Sequence, residues 1–294
     1  MGAVENLLVG AVDLHCHSGP SPMPRRITHV EAAQQAAELG FRAIVAKCHY
    51  HDTVTDVLAM APQLAGVPTQ VFGGIALNSQ VGGLNPHAVD RSLRMGGRVI
   101  WFPTISSAAH LSHAAAHAEV QRHFQPLGMM QSDKVSIFGD DGDLLPAVHA
   151  IIAQAKEAGA LISTGHLGPE PARALIEAAV AAGHRQLILS HPNFVVDVDR
   201  KEALALAELG AVIEHEIAMY HLEKIFPFQT LLDWIDLVGP ERTSLGSDLG
   251  QVGNPLPVEA YRAVVGKLLD SGVAERDIRL MVRDNPARLI GLDA

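Results

Sequence analysis

Short apolar, β-branched runs alternate along the chain with Ala-rich stretches whose apolar residues recur at helical spacing. This is the pattern of repeated βα units around a parallel sheet. The runs predict eight strands, near residues 11–17, 42–48, 70–77, 98–104, 160–165, 186–191, 211–216 and 242–247. Helices are predicted between them, for example over Thr28–Leu39, Pro86–Met95, Leu144–Ala158, Pro169–Ala182 and Lys201–Leu209. Gly40, Gly96, Gly159, Gly183 and Gly210 follow these five helices as C-terminal stops. Eight strands with intervening helices fit a closed (β/α)8 barrel, a TIM barrel, better than an open sheet. The expectation is one domain over residues 1–294.

The rhythm breaks once, in an insertion over residues 105–143 after the fourth strand. Its first half, Ser106–His123, is rich in Ala and His and reads as helical. Its second half holds Phe138-Gly139-Asp140-Asp141-Gly142, which reads as a hairpin turn. A long loop on the catalytic face of a barrel serves as a lid or a substrate wall.

Composition narrows the class. The 294 residues are 48% hydrophobic, ample for one large core, and carry a formal charge of -10. An acidic chain without basic blocks is a poor partner for nucleic acid or anionic membrane. No apolar run approaches the ~18 residues of a membrane span. Met1 to Gly10 lacks the basic region of a signal peptide, and two cysteines, Cys16 and Cys48, make no disulfide framework. The expectation is a cytoplasmic, reduced protein acting on a small molecule. A homodimer is compatible with such a barrel.

The sixteen histidines carry the chemistry. Asp13-Leu14-His15-Cys16-His17 ends the first strand. Strand alternation places Asp13, His15 and His17 on one face, with Leu14 and Cys16 toward the helix layer. Two imidazoles two residues apart can share a metal ion. The fifth strand runs into His166, the sixth into His191 and the eighth into Asp248. Each polar group stands just past an apolar strand, where a barrel puts catalytic groups.

In these residues the sequence resembles the amidohydrolase superfamily, over nearly its whole length. The ending Asp284-Asn285-Pro286-Ala287-Arg288-Leu289-Ile290-Gly291-Leu292 also looks like that superfamily's C-terminal helix. The resemblance implies two divalent metal ions, zinc, manganese or iron. His15 and His17 would hold the more buried ion and His166 and His191 the second. Asp248 would ligate the first and handle the proton of its water.

The pattern departs from the resemblance in one respect. Binuclear members bridge their metals with a carboxylated lysine, or a glutamate, from strand three or four. Here strand four reads Arg98-Val99-Ile100-Trp101-Phe102-Pro103-Thr104, and strand three ends in Ala76-Leu77-Asn78. Replacement ligands are sought on strand two, where Lys47, His49 and His51 share one parity, and on strand seven, where Glu214 and Glu216 share one face and His215 takes the other. His49 is the preferred extra ligand, with His51 farther out. Lys47 could be carboxylated, could contact substrate, or could pair with Asp13 or Glu214. Glu214, Glu216, Asp13 and His51 could bridge the metals or orient a ligand. Asn78, Trp101 and His110 are placed at the substrate pocket. His113 and His117 have zinc-helix spacing, but Ala114 stands where a metalloprotease needs glutamate, so a polar helix face is expected.

Two chemistries follow. The first is hydrolysis of a small amide, ester or lactone-type bond by a metal-activated water, with Asp248 and Lys47 as catalytic groups. The alternative comes from a divergent branch of the same scaffold that the strand ends resemble. There a dinuclear non-haem iron site activates oxygen to hydroxylate a small, largely hydrophobic substrate in natural-product biosynthesis. A barrel that only binds a ligand would lack intact metal positions.

Overall fold

Alternation of side chains along each strand decides where this chain buries its apolar residues. The computed structural model describes residues 2–117 and 128–292. Its strands are β1 (Val12–Cys16), β2 (Ala43–Ala46), β3 (Gln70–Phe72), β4 (Gly74–Ala76), β5 (Val99–Trp101), β6 (Leu161–Ser163), β7 (Leu187–Ser190), β8 (Val212–Glu216) and β9 (Thr243–Gly246). All pairings are parallel, in two sheets ordered β1-β2-β3 and β4 through β9. The third expected strand is thus split at Gly73 into β3 and β4. Backbone bonds join β9 back to β1: the Asp248 N–H donates to His15 O at 2.8 Å, and the His17 N–H to Leu249 O at 2.8 Å. Eight strand positions in chain order, each packed under helices, make up the expected (β/α)8 fold.

The five helices singled out in the sequence form as His29–Glu38, Pro86–Arg94, Pro146–Ala158, Pro169–Ala181 and Arg200–Leu209. The first starts in a capping box. Thr28 Oγ1 accepts from the Glu31 N–H, while Glu31 Oε2 accepts from the Thr28 N–H at 2.8 Å. In the insertion, Ser107 caps a helix over Ala108–Ala116. The rest of the expected helix, residues 118–123, lies outside the described residues. The expected hairpin forms, with Phe138 bridged to Leu144 and the Gly139 N–H donating to Asp143 O.

Two faces of each strand serve two cores. Outward residues such as Ile75, Ile100, Ile162, Leu189 and Ile213 pack on the helices. Inward residues form a separate plug of Val12, Leu14, Ala43, Val45, Val99, Trp101, Leu161, Ile188 and Val212, closed from below by Leu289, Ile290 and Leu292. The C-terminal segment is a helix over Asn285–Leu289, anchored where Asn285 Nδ2 donates to Thr243 O at 2.7 Å. The inward rows then turn polar as they climb: Val45 is followed by Lys47, Leu161 by Ser163, Ile188 by Ser190, and Val212 by Glu214 and Glu216. Hydrophobic burial at the bottom holds a fully buried polar layer at the top.

Simple alternation fails in β1. Val12 and Asp13 pair with Ala43 and Ile44, but Cys16 pairs with Ala46, so β1 carries one residue more than β2 over this stretch. That bulge turns both Leu14 and His15 inward. Asp13 therefore does not share the face of His15 and His17. Its Oδ1 accepts from the His15 N–H at 3.0 Å and the Ser247 N–H at 2.9 Å, tying the bulge to the end of β9. No described helix is long and apolar enough to cross a membrane.

Candidate metal centre

The centre sits on the polar layer, at the C-terminal ends of the strands. His15 Nε2, His17 Nε2 and Asp248 Oδ1 converge, all within 4.8 Å of one another. Asp248 Oδ1 lies 3.1 Å from His17 Nε2 and 3.6 Å from His15 Nε2. Ligands ~2.1 Å from one tetrahedral ion stand roughly 3.4 Å apart, so the trio fits a shared divalent cation. Gly246 makes this possible, because a Cβ there would come within 2.9 Å of His15 Cβ and 3.0 Å of Glu214 Oε1. Asp248 takes φ 50° and His191 φ 31°. Non-glycine residues in this left-handed region cluster at functional sites. Here the His191 N–H, donating to Glu214 O at 2.9 Å, holds one of them in place.

Behind the trio stand two buried carboxylates. His15 Nδ1 lies 3.3 Å from Glu214 Oε2 and 3.3 Å from Glu216 Oε1. Glu214 Oε2 also accepts from Ser190 Oγ at 2.8 Å, while Glu216, apart from its 3.3 Å approach to His15, has no hydrogen-bond partner among the described residues. This is the arrangement in which a carboxylate orients a metal-ligating imidazole.

Lys47 enters from β2 with its Nζ 2.7 Å from His15 Nε2 and 5.5 Å above the Trp101 ring. The expected ion pair with Asp13 or Glu214 does not form, because Asp13 faces outward and Glu214 is taken up by His15 and Ser190. Burial lowers the Lys47 ammonium, against the fields of Asp248, Glu214 and Glu216.

The charge states of the carboxylate side follow from its neighbours. Burial and Lys47 pull His15 down, but Glu214, Glu216 and Asp248 outweigh them and bring it up to about 9. Burial pushes at Glu214, yet His15, Ser190 and Lys47 hold it below the usual range. Glu216, buried beside the ionised Glu214, is pushed well above it.

The other side is built of imidazoles. His49 lies 4.9 Å from His17 and 5.7 Å from His166 between ring centroids, and its Nδ1 is bonded to Thr104 Oγ1 at 2.8 Å. His166 lies 4.7 Å from His191 and stacks on His110, with their Nδ1 atoms 2.8 Å apart. His110 thus reaches the centre from the insertion helix. Burial lowers all four: His49 and His166 well below 6.5, His110 to about 4 and His191 to about 3.

Several expected site residues are placed elsewhere. Asn78 has no amide free for substrate. Its Oδ1 accepts from the Thr104 and Ser106 N–H groups, and its Nδ2 donates to His49 O at 2.9 Å, so it pins three loops together. Trp101 is 1% exposed and belongs to the apolar plug, so it does not line a pocket. His51 pairs with Asp56 at 2.6 Å, away from the trio, and is raised to about 10 by that carboxylate. His215 faces outward against Tyr220 and Trp234. His113 and His117 stack on each other on the insertion helix. Ser190 and Thr104, which hold Glu214 and His49, carried no signal in the sequence, since single hydroxyls near strand ends are common.

Known structures share this fold. An amidohydrolase from Pseudomonas aeruginosa superposes with a TM-score of 0.64 at 13% identity, covering 99% of this chain and 100% of that one. A probable dipeptidase from the same organism gives 0.61 at 12% identity, covering 98% and 96%. A 2,6-dihydroxybenzoate decarboxylase from Rhizobium gives 0.56 at 14% identity, covering 97% and 100%. Such likeness establishes the fold, which hosts more than one chemistry. No curated protein matches the chain. The model of a family of unknown function, DUF6282, matches residues 10–214, from Gly10 just before β1 to Glu214 in β8, and the chain belongs to that family.

Proposed function

We propose that this protein is a metal-dependent hydrolase that cleaves a small amide, ester or lactone-type bond, with two divalent ions at the strand ends. The convergence of His15 Nε2, His17 Nε2 and Asp248 Oδ1 carries the reading. His166 and His191 would hold the second ion, with His49 between the two sides. Bound divalent ions supply Lewis-acid polarisation of the scissile carbonyl and lower the pKa of water.

The chain's own groups do the rest. Asp248, its side chain 20% exposed and facing the mouth, accepts the proton of the attacking water and returns it to the leaving group. Glu214 and Glu216 fix the His15 ring through Nδ1, and its Nε2, which Lys47 Nζ approaches to 2.7 Å, would face the ion. His110 covers His166 and narrows access for bulk water. Lys47 stands where it can meet negative charge that develops on the substrate.

The test is elemental analysis of protein purified without added metal, followed by assay on a panel of small esters, lactones and amides. About two zinc or manganese ions per chain with turnover on that panel support the reading. Two irons per chain with oxygen-dependent turnover would replace it with oxygen activation. No uptake even after reconstitution would overturn it.

A further inference from the structure

The loop after β1 brings to the centre one cation without a partner among the described residues. Residues 18–28 fold back over the strand ends. The Gly19 N–H donates to Ile27 O at 2.9 Å, the Arg26 N–H donates to Gly250 O at 2.7 Å, and Arg25 bridges Gln251. The stem of Arg25 lies on Gly19, where a Cβ would stand 3.1 Å from both its Cβ and its Cγ. Its Nε and Nη2 are closed off from solvent and have no hydrogen-bond partner among the described residues. The adjacent Arg26 shows the ordinary alternative, bonded to Asn254 O at 2.8 Å and 3.8 Å from Glu259.

The surroundings of this guanidinium belong to the centre. Its charge bears on His17, Lys47 and His49, and Cys48, Tyr50 and Asp248 bear on it in turn. Leaving donors of a cation buried and unmatched is costly, and folded proteins pair them. Nε and Nη2 form one edge of the planar guanidinium. That edge takes two oxygens of a carboxylate or phosphate side by side. The partner missing among the described residues has the shape of an anion.

We propose that Arg25 is a specificity-determining residue, which binds an anionic group of the substrate, carboxylate or phosphate, on its Nε/Nη2 edge. The class of substrate would then be a small anionic molecule whose scissile bond reaches the metal centre. The proposal rests on the hydrolase reading for the reaction, but the binding of the anion can be measured without it.

The test is titration calorimetry on the full chain as isolated, with succinate and inorganic phosphate as probes, for wild type, Arg25→Met and Arg25→Lys. The expected result is that wild type binds one probe, that Arg25→Met weakens it at least tenfold, and that Arg25→Lys recovers only part of the loss. The preferred probe separates carboxylate from phosphate. Equal binding by wild type and Arg25→Met, or no binding of either probe to folded wild type, would overturn the proposal. In a second arm, the ratio of kcat/KM for mono-4-nitrophenyl succinate over 4-nitrophenyl acetate is expected to fall at least tenfold in Arg25→Met. Absence of turnover on both esters would count against the hydrolase reading alone and leave calorimetry to decide on Arg25.

Discussion

The two sides of the centre differ in kind. The side built from β1, β8 and β9 sets His15 and His17 among three carboxylates, Glu214, Glu216 and Asp248. The side built from the loops after β2, β6 and β7 and from the insertion offers His49, His110, His166 and His191 packed ring on ring. His215 separates the causes. It lies on the same strand as the two glutamates but faces outward, and burial takes it down to about 3, whereas His15 among the carboxylates stands at about 9. Burial alone makes a neutral imidazole; burial beside carboxylates makes a seat for positive charge. Two ions bound here would therefore differ in affinity, tighter on the carboxylate side.

The largest effect is expected from Asp248→Asn, which keeps the shape but removes the proton acceptor. A fall in kcat of ~10²–10⁴ is the scale of a lost acid–base group. Steady-state turnover by this variant near the wild-type rate would remove Asp248 from the proton path.

Next come the two sides compared directly. His17→Ala is expected to lose the tighter ion, and His191→Ala only the weaker one. Each loss should be at least the ~10–100-fold that even outer hydrogen-bond partners of metal ligands are worth. Equal losses by elemental analysis and metal titration would erase the distinction between the sides.

A pH effect on stability follows from His215. Its pKa is depressed in the fold, so the unfolded chain takes up a proton that the folded one refuses. The stabilisation is full above the unfolded value of 6.5 and is lost as pH falls from there toward about 3. By pH 5 the loss from this residue is about 2 kcal/mol. His184, also lowered by burial, acts in the same direction. Denaturant midpoints of metal-free protein at pH 8 and pH 5 check it: His49, His110, His166 and His191 add to the same loss, and His215→Gln should shrink the difference by its own share only.

The smallest effect is expected from Lys47→Met. Removing an ammonium 2.7 Å from His15 Nε2 should tighten zinc on the carboxylate side by about tenfold, as read by competition with a chelator. Loss of an ion instead would give Lys47 the role of a carboxylated bridge.

Much of this was legible in the chain. The five named helices form within two residues of their expected ends, because glycine stops and capping residues act locally. His15, His17, His166, His191 and Asp248 were marked by one rule, a polar residue just past an apolar strand, and the fold gathers them at one end. What sequence determined was therefore period, punctuation and which rows turn polar. Tertiary structure decided the rest. Alternation put Asp13 beside His15, but a bulge fixed by pairing with β2 and by the Ser247 N–H turned Asp13 outward and Leu14 inward. His51 follows the parity of Lys47, yet the chain leaves β2 after Ala46, and Asp56 captures it. Asn78 and Trp101 sit at strand ends like true site residues, but their neighbours in space use them for loop pinning and core. Arg25 has no spacing to mark it, and only the absence of a partner around its buried guanidinium sets it apart. A side chain's role depends on what lies within about 4 Å of it, and in a barrel those neighbours come from distant parts of the chain.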